Sequence, residues 1–174
     1  MLDTLISSRT RINLLLKFFI NPQSTSYLRG LAEEFRESTN AIRLELNRFE
    51  NAGMLESNYN GNRKMYKANV SHPLYKDIRN IILKHVGIDK LIEELVEKLG
   101  NPEKVYLCGD FAMGKDSEII DIVIIGDINK NYMLTLIEKV EPLINKRIRY
   151  LTFLPEEFVI AEDHKKDYVL IWNK

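Results

Sequence analysis

Residues 24–55, STSYLRGLAEEFRESTNAIRLELNRFENAGML, decide the reading of the first half of this chain. Leu28, Leu31, Ala32 and Phe35 recur at i, i+3, i+4 and i+7, the spacing of one face of an amphipathic helix. A polar break follows, Arg36-Glu37-Ser38-Thr39-Asn40. Ser38 or Thr39 can cap a second helix by accepting a hydrogen bond from a free backbone N–H of its first turn. In that helix Ile42, Leu46 and Phe49 fall on one side, and Asn40, Arg43, Leu44 and Asn47 on the other; Gly53 ends it. Two short helices, a tight turn and a polar outer face on the second describe a helix-turn-helix. Arg and Asn are side chains that read base edges in a major groove. A helical hairpin whose second helix only has a solvated face carries the same periodicity, so the residues beyond Leu55 weigh in the choice.

Those residues predict a short hairpin, Leu55–Ser57 against Lys64–Lys67, around Tyr59-Asn60-Gly61-Asn62, with Asn-Gly as the turn signal and Arg63 and Lys64 beside the tip. A helix-turn-helix followed by a basic hairpin is a winged helix. Its second helix enters the groove and its wing reaches the flanking phosphates. The words YLRGLAEEF, NAIRLELNRFENAGML and NRKMYKAN, followed by HPLY, resemble winged-helix regulators of the ArsR and MarR type, over residues 14–74. The DNA-contacting set on this reading is Ser38, Thr39, Asn40, Arg43, Leu44, Asn47 and Arg48 from the helix, with Arg63 and Lys64 from the wing.

Composition sets the bounds. At 174 residues and 45% hydrophobic, the chain fits one large or two small domains with real cores. Its net charge of zero hides a split: residues 1–70 carry ten Lys and Arg against seven Asp and Glu, a formal +3 that leaves −3 for the rest. The sign suits a DNA-binding first half, although Glu33, Glu34 and Glu37 near the helix-helix turn do not help phosphate contact. The single cysteine, Cys108, reads as a small buried hydrophobe, with a reactive thiol as the second reading. No apolar run reaches the roughly 18 residues of a membrane span, and no signal-peptide pattern opens the chain, so a cytoplasmic protein is expected. His72, His85 and His164 lack metal-ligand spacing.

Along the chain, residues 1–9 read as a short helix or arm. Arg11–Ile20, apolar nearly all round, reads as a helix buried on more than one side, against a second subunit on one reading. Val70-Ser71-His72-Pro73 is a linker, with Pro73 suited to the first turn of a helix through Leu74, Ile78, Ile81, Ile82 and Val86. Gly87 interrupts, and Ile88, Leu91, Ile92, Leu95 and Leu99 continue the stripe. These helices serve a dimer or pack on their own winged helix; periodicity leaves both open. Gly100-Asn101-Pro102 marks a boundary. Beyond it come strands Val105–Cys108 and Ile119–Ile125, a helix Tyr132–Ile144, a strand Arg147–Leu154, a short helix from Pro155 to Phe158, and a last strand Tyr168–Trp172. The fold class is α+β: residues 1–72 a winged helix, 73–99 linker or dimerisation helices, 100–174 a small α/β domain on a mixed sheet.

Within that last domain YLCGDFAMGKDSEIIDIVIIG, from Tyr106 to Gly126, resembles the signature of minimal polymerase-beta-type nucleotidyltransferases, and the likeness runs over roughly residues 88–174. Gly109, Ala112, Gly114 and Asp121 match the pattern of strand, Gly-Ser, helix turn with Gly, and Ser-Asp-x-Asp. What the resemblance implies is two strand carboxylates and a third on a later strand holding a magnesium pair, with the serine cradling phosphate. The chain departs from it three times. Asp110 replaces the serine, Ile119 the first carboxylate, and the run from Arg147 to Thr152 offers no third. Asp116 and Glu118 lie in the loop, off the strand face. The expectation is therefore a regulator that binds double-stranded DNA as a homodimer. Its nucleotidyltransferase-like domain would lack catalytic residues, metal and cofactor, and would serve a small-molecule or protein effector. The rivals are a magnesium-dependent, antitoxin-like nucleotidyltransferase with a winged-helix targeting domain, and a protein-interaction module.

Overall fold

The computed structural model describes residues 2–98, 100–160 and 162–174, which divide into two compact units, Met1–Ile82 and Leu83–Lys174. In chain order the first unit holds helices α1 (Leu2–Leu5) and α2 (Arg9–Phe19), strand β1 (Ser26–Tyr27), helices α3 (Leu28–Phe35) and α4 (Thr39–Asn51), strands β2 (Leu55–Asn60) and β3 (Arg63–Ala68), and the start of α5 (Tyr75–Val86). The second holds the end of α5, then α6 (Ile88–Lys98), β4 (Gly100–Cys108), α7 (Gly109–Ala112), β5 (Ile119–Ile128), α8 (Lys130–Ile144), β6 (Arg147–Phe153), a 3-10 turn (Glu162–Asp167) and β7 (Val169–Asn173). The chain is α+β: a winged helix-turn-helix, then a small α/β unit on a mixed sheet.

The first unit is built around α2. Ser8 caps it by accepting a hydrogen bond from the Arg11 N–H, and Leu14, Leu16, Phe18, Phe19 and Ile20 are all at most 2% exposed. The apolar surface that could have faced a second subunit is consumed inside the chain. Phe19 stacks on Tyr75 with ring centroids 5.5 Å apart. Lys17 bonds Glu34 at 2.9 Å, and Thr10 bonds Glu37, so two of the three acidic residues tie α3 and the turn after it to α2. That turn passes through Arg36, in the left-handed region at φ 55°, whose N–H donates to Ala32 and Glu33. Of the two candidate caps Ser38 is the one used, accepting from the Ala41 N–H at 3.2 Å. Gly53, at φ 71°, closes α4 while the Met54 N–H reaches back to the Phe49 carbonyl.

The wing is longer than the sequence suggests. Its register pairs Asn60 with Arg63, so Gly61-Asn62 forms the two-residue loop, one position beyond the expected Asn-Gly. Only Gly61 takes a positive φ, 57°, as a type II′ turn requires of its first central residue. β1 adds a third strand on the other side of β3, giving the order β1-β3-β2. Pro73 lies in the turn before α5, two residues ahead of its start, and the Tyr75 N–H bonds the His72 carbonyl.

In the second unit the strand order is β6-β5-β4-β7, with β5–β6 parallel and the other pairs antiparallel. Ile120, Ile122 and Ile124 on β5, opposite Leu107 and Val105 on β4, form one row at most 1% exposed. Helix α6, with Ile88, Leu91 and Leu95 buried, packs with α8 and against β4, so this stripe belongs to the second unit's core rather than to a free linker. Leu99 lies outside the described residues. Gly87, at φ 86°, lets α6 begin hard against α8: a Cβ there would overlap Ile144. Two expectations fail. Gly100-Asn101-Pro102 opens β4 instead of marking a boundary, and residues 155–158 form a turn, not a helix. Pro102 is tolerated because β7 pairs with β4 only from Lys104 onward and a bulge follows Pro102 at once.

Candidate functional site

Helix α4 sorts its side chains by period. Ile42, Glu45, Leu46 and Phe49 are buried, while Ser38, Thr39, Asn40, Arg43, Leu44, Asn47 and Arg48 are all exposed. Leu44 is 60% exposed, an apolar side chain kept on a polar face between Arg43 and Asn47. The Arg43 Nη1 donates to Asn40 Oδ1 at 3.2 Å, one turn back, which orients the guanidinium along the outer face. Arg48 instead bonds Glu45 at 2.7 Å, and Arg11 of α2 forks onto both oxygens of the same carboxylate at 2.8 and 3.1 Å. Glu45 is 6% exposed, and two guanidinium groups offset the cost of burying its charge.

The hydrogen bond from Arg11, with the charges of Arg11 and Arg48, outweighs burial and holds the Glu45 carboxyl below its ordinary value of 4.5. A depressed folded pKa means stability present above the unfolded value and lost as pH falls through the folded one. Thermal melts of wild type should therefore lose stability below about pH 4.5, and Glu45→Gln should flatten that part of the profile. A variant profile as steep as wild type would assign the acid sensitivity elsewhere.

At the wing, Arg63 is exposed and its guanidinium lies 4.7 Å from the centroid of the Tyr27 ring. The ring in turn covers Gly30, where a Cβ would meet Tyr27 at 3.0 Å. Lys64 differs from the expectation of a phosphate-facing cation. It bonds Glu50 at 2.7 Å and lies 5.2 Å from the Tyr66 ring centroid, and Glu50 also accepts from Ser57. Sequence proximity to the turn suggests two tip cations; strand alternation turns one outward and the other back onto α4.

The second motif is assembled at the start of β5. Gly109, at φ 64°, begins the short α7, and a Cβ there would stand 2.5 Å from Asp121 Oδ2. This close approach explains a glycine between strand and turn. Gly114 ends the turn at φ 72°. Ile119 and Asp121 share a face of β5, and Asp121 lies in register with Arg149 on β6. Arg149 forks onto both Asp121 oxygens at 2.6 and 3.0 Å. That hydrogen bond, then the charges of Asp121, Cys108 and Asp110, raise the Arg149 pKa further. Cys108 lies opposite Asp121 in register, and burial, then the Asp121 charge, push its thiol up to about 11. At neutral pH this favours the protonated thiol.

Of the loop carboxylates, Asp116 is engaged elsewhere. Asp116 bonds Lys146 at 3.0 Å, and the same ammonium donates to the Ser117 carbonyl at 2.7 Å and lies 5.0 Å from the Phe111 ring centroid. A magnesium pair asks for two or three carboxylates on one face. This face offers one, with an isoleucine beside it and a guanidinium across it, so the residues do not fit that metal. Among the described residues no group of three or more His, Cys, Asp or Glu side chains is placed to share a metal ion. No helix of the described residues is long and apolar enough to cross a membrane. Sequence reading missed Arg149 and Lys146. The available signal was Arg147 and Arg149 alternating on β6 next to a strand with a lone aspartate.

No protein-family model matches the sequence, and no curated protein matches it. Among solved structures, the chain is similar to reduced HlyU from Vibrio cholerae N16961, 13% identical with TM-score 0.38 over 48% of this chain and 82% of that one. It is similar to a variant of the toxin-antitoxin complex MntA-HpeT, 14% identical with TM-score 0.39 over 50% and 72%. It is also similar to a protein provisionally assigned as a nucleotidyltransferase from Sulfolobus solfataricus, 26% identical with TM-score 0.35 over 53% and 80%. Likenesses this loose carry no functional argument.

Proposed function

We propose that this chain is a sequence-specific, double-stranded DNA-binding transcriptional regulator, acting as a homodimer, whose second unit is a sensor or interaction module and not a working nucleotidyltransferase. The observation that carries the first part is the two-sided α4. One face is buried in the winged helix, and the other presents Arg43, Leu44 and Asn47, next in chain order to a wing whose Arg63 is exposed. Arg supplies a bidentate donor for guanine, Asn pairs with adenine, and an exposed leucine offers apolar contact to a thymine methyl. Arg63 supplies a phosphate contact that fixes register without reading sequence. For the homodimer, Leu74 just before α5 is 54% exposed and Ile81 within it 44%, with Asp77 and Lys84 both exposed and seven residues apart on the same helix. That charge pair is self-complementary across an antiparallel two-fold. Two such winged helices would read half-sites about 34–36 Å apart.

The test is titration of labelled duplexes at several salt concentrations. Arg43→Ala should weaken the selected site by about 1–3 kcal/mol and relax sequence preference, whereas Arg63→Ala should weaken all sequences alike and reduce the salt slope by about one. Equal, sequence-independent losses from the two substitutions would show that α4 is not the reading helix. Binding only to protein, with no salt-dependent affinity for any duplex, would favour the interaction-module reading. The enzymatic alternative keeps one observation in its favour, the glycine turn at Gly109 set directly against Asp121.

A further inference from the structure

A cavity of about 310 Å³ opens on the second unit, lined by Glu103, Lys104, Tyr106, Ile125, Phe158 and the neighbouring segment 155–160. Its volume sits at the lower end of the roughly 300–1,000 Å³ of small-ligand sites. It lies on the same face of β5 as Asp121 but further along the strand: four residues, about 13 Å, separate Ile125 from Asp121. Its apolar wall is a set of packed rings. Phe158 stands 5.7 Å from Tyr106, 5.3 Å from Phe153 and 5.8 Å from Tyr168, centroid to centroid. Rings braced against one another in this way offer an aromatic ligand a preformed surface at little entropic cost.

The rim is the informative part. Consecutive strand residues point to opposite faces, so Glu103 and Lys104 should not both line one cavity. They do, because β4 bulges between Pro102 and Lys104: Pro102 pairs with Gly126 and Lys104 with Ile125, leaving Glu103 as the extra residue. Gly126, at φ 130°, makes room, since a Cβ there would stand 2.5 Å from the Asn101 carbonyl oxygen. A bulge re-aims a side chain. Here it sets a carboxylate and an ammonium side by side, both exposed and, among the described residues, without an ion pair to each other or elsewhere. A rim with one charge of each sign disfavours a polyanion such as a triphosphate and matches a zwitterion.

We propose that this cavity binds a free aromatic α-amino acid, with its ammonium on Glu103, its carboxylate on Lys104 and its ring against Phe158 and Ile125. This names the ligand class for the sensor role proposed above and rests on that reading. Calorimetric titration of the full chain without DNA keeps the two separable, because failure of DNA binding leaves the titration intact and the reverse also holds. The probes are L-phenylalanine, its amide, its N-acetyl derivative and L-leucine. Phenylalanine should bind one to one with saturation, and each of the other three at least tenfold more weakly. Glu103→Gln and Lys104→Met should each weaken phenylalanine at least tenfold, and Phe158→Leu several-fold. The first two replace exposed side chains, so their melting temperatures should match wild type. No saturable heat with phenylalanine overturns the proposal. So does binding that neither rim substitution changes, or N-acetyl and amide derivatives that bind as tightly as the free amino acid.

Discussion

Ile82→Glu should leave no folded first unit at ordinary temperature. Ile82 is 1% exposed. Deleting a buried isoleucine side chain costs about 2–5 kcal/mol, and a carboxylate there adds the cost of an unpaired buried charge. A domain of this size has only about 5–15 kcal/mol in hand. Read from periodicity alone, Ile82 sits on the same stripe as Ile78 and Ile81, and a substitution there would pass for a way of splitting a dimer. The structure separates them: Ile81 is 44% exposed and Ile82 is core. Ile81→Glu is therefore the dimer test, and it should give a folded monomer by sedimentation with circular dichroism unchanged. Circular dichroism and denaturant titration of Ile82→Glu check the first expectation; a cooperative transition close to wild type would show that Ile82 is not core.

The contrast between neighbouring isoleucines shows what a sequence of this kind discloses. Helices α3 and α4 were legible to within a residue or two because local chemistry sets their ends: Ser38 as cap, Gly53 at positive φ, and a polar break between two apolar faces. β5 was legible because a nearly continuous apolar run has no other comfortable state than a buried strand. β1, two residues long, was not legible, since it exists only because β3 offers it an edge. Gly100-Asn101-Pro102 misled because glycine and proline usually mark breaks, and only a partner strand with Gly126 in the right place turns them into a bulged strand. The candidate DNA face was readable as a set of exposed polar residues, but not which of its cations are already engaged. Arg48 and Lys64 are held by Glu45 and Glu50. The contacts that fix those carboxylates, from Arg11 on α2 and from both strands of the wing, join elements far apart in sequence.

Restoring the nucleotidyltransferase pattern should require three substitutions, not two. Against the pattern alone, Asp110→Ser with Ile119→Asp looks sufficient to recover magnesium binding. Arg149 changes that expectation through its charge and not through the strength of its bond. The Asp121–Arg149 pair is open to solvent on the arginine side, at 67% exposure, so water screens it and an ion could displace it at modest cost. A displaced guanidinium nevertheless remains within reach of the same carboxylate, and like charges repel a divalent cation placed beside it. In the wild type the charges of Asp110 and Asp121 both act on Arg149, a formal sum of −1 for the three groups. The double variant keeps two carboxylates and the arginine, still −1. Adding Arg149→Asp to the double variant places carboxylates at positions 119, 121 and 149 on one face, with Arg147 opposite position 119 bonded to Glu141 and the phosphate turn relieved of its negative charge. Calorimetry with magnesium should give no measurable binding for wild type or the double variant and saturable binding for the triple variant. Labelled-nucleotide transfer should be absent in the first two. Magnesium-dependent transfer by the wild type, lost in Asp121→Ala, would reverse the assignment, because a single carboxylate bridged by arginine would then be supporting chemistry that the charge argument denies it.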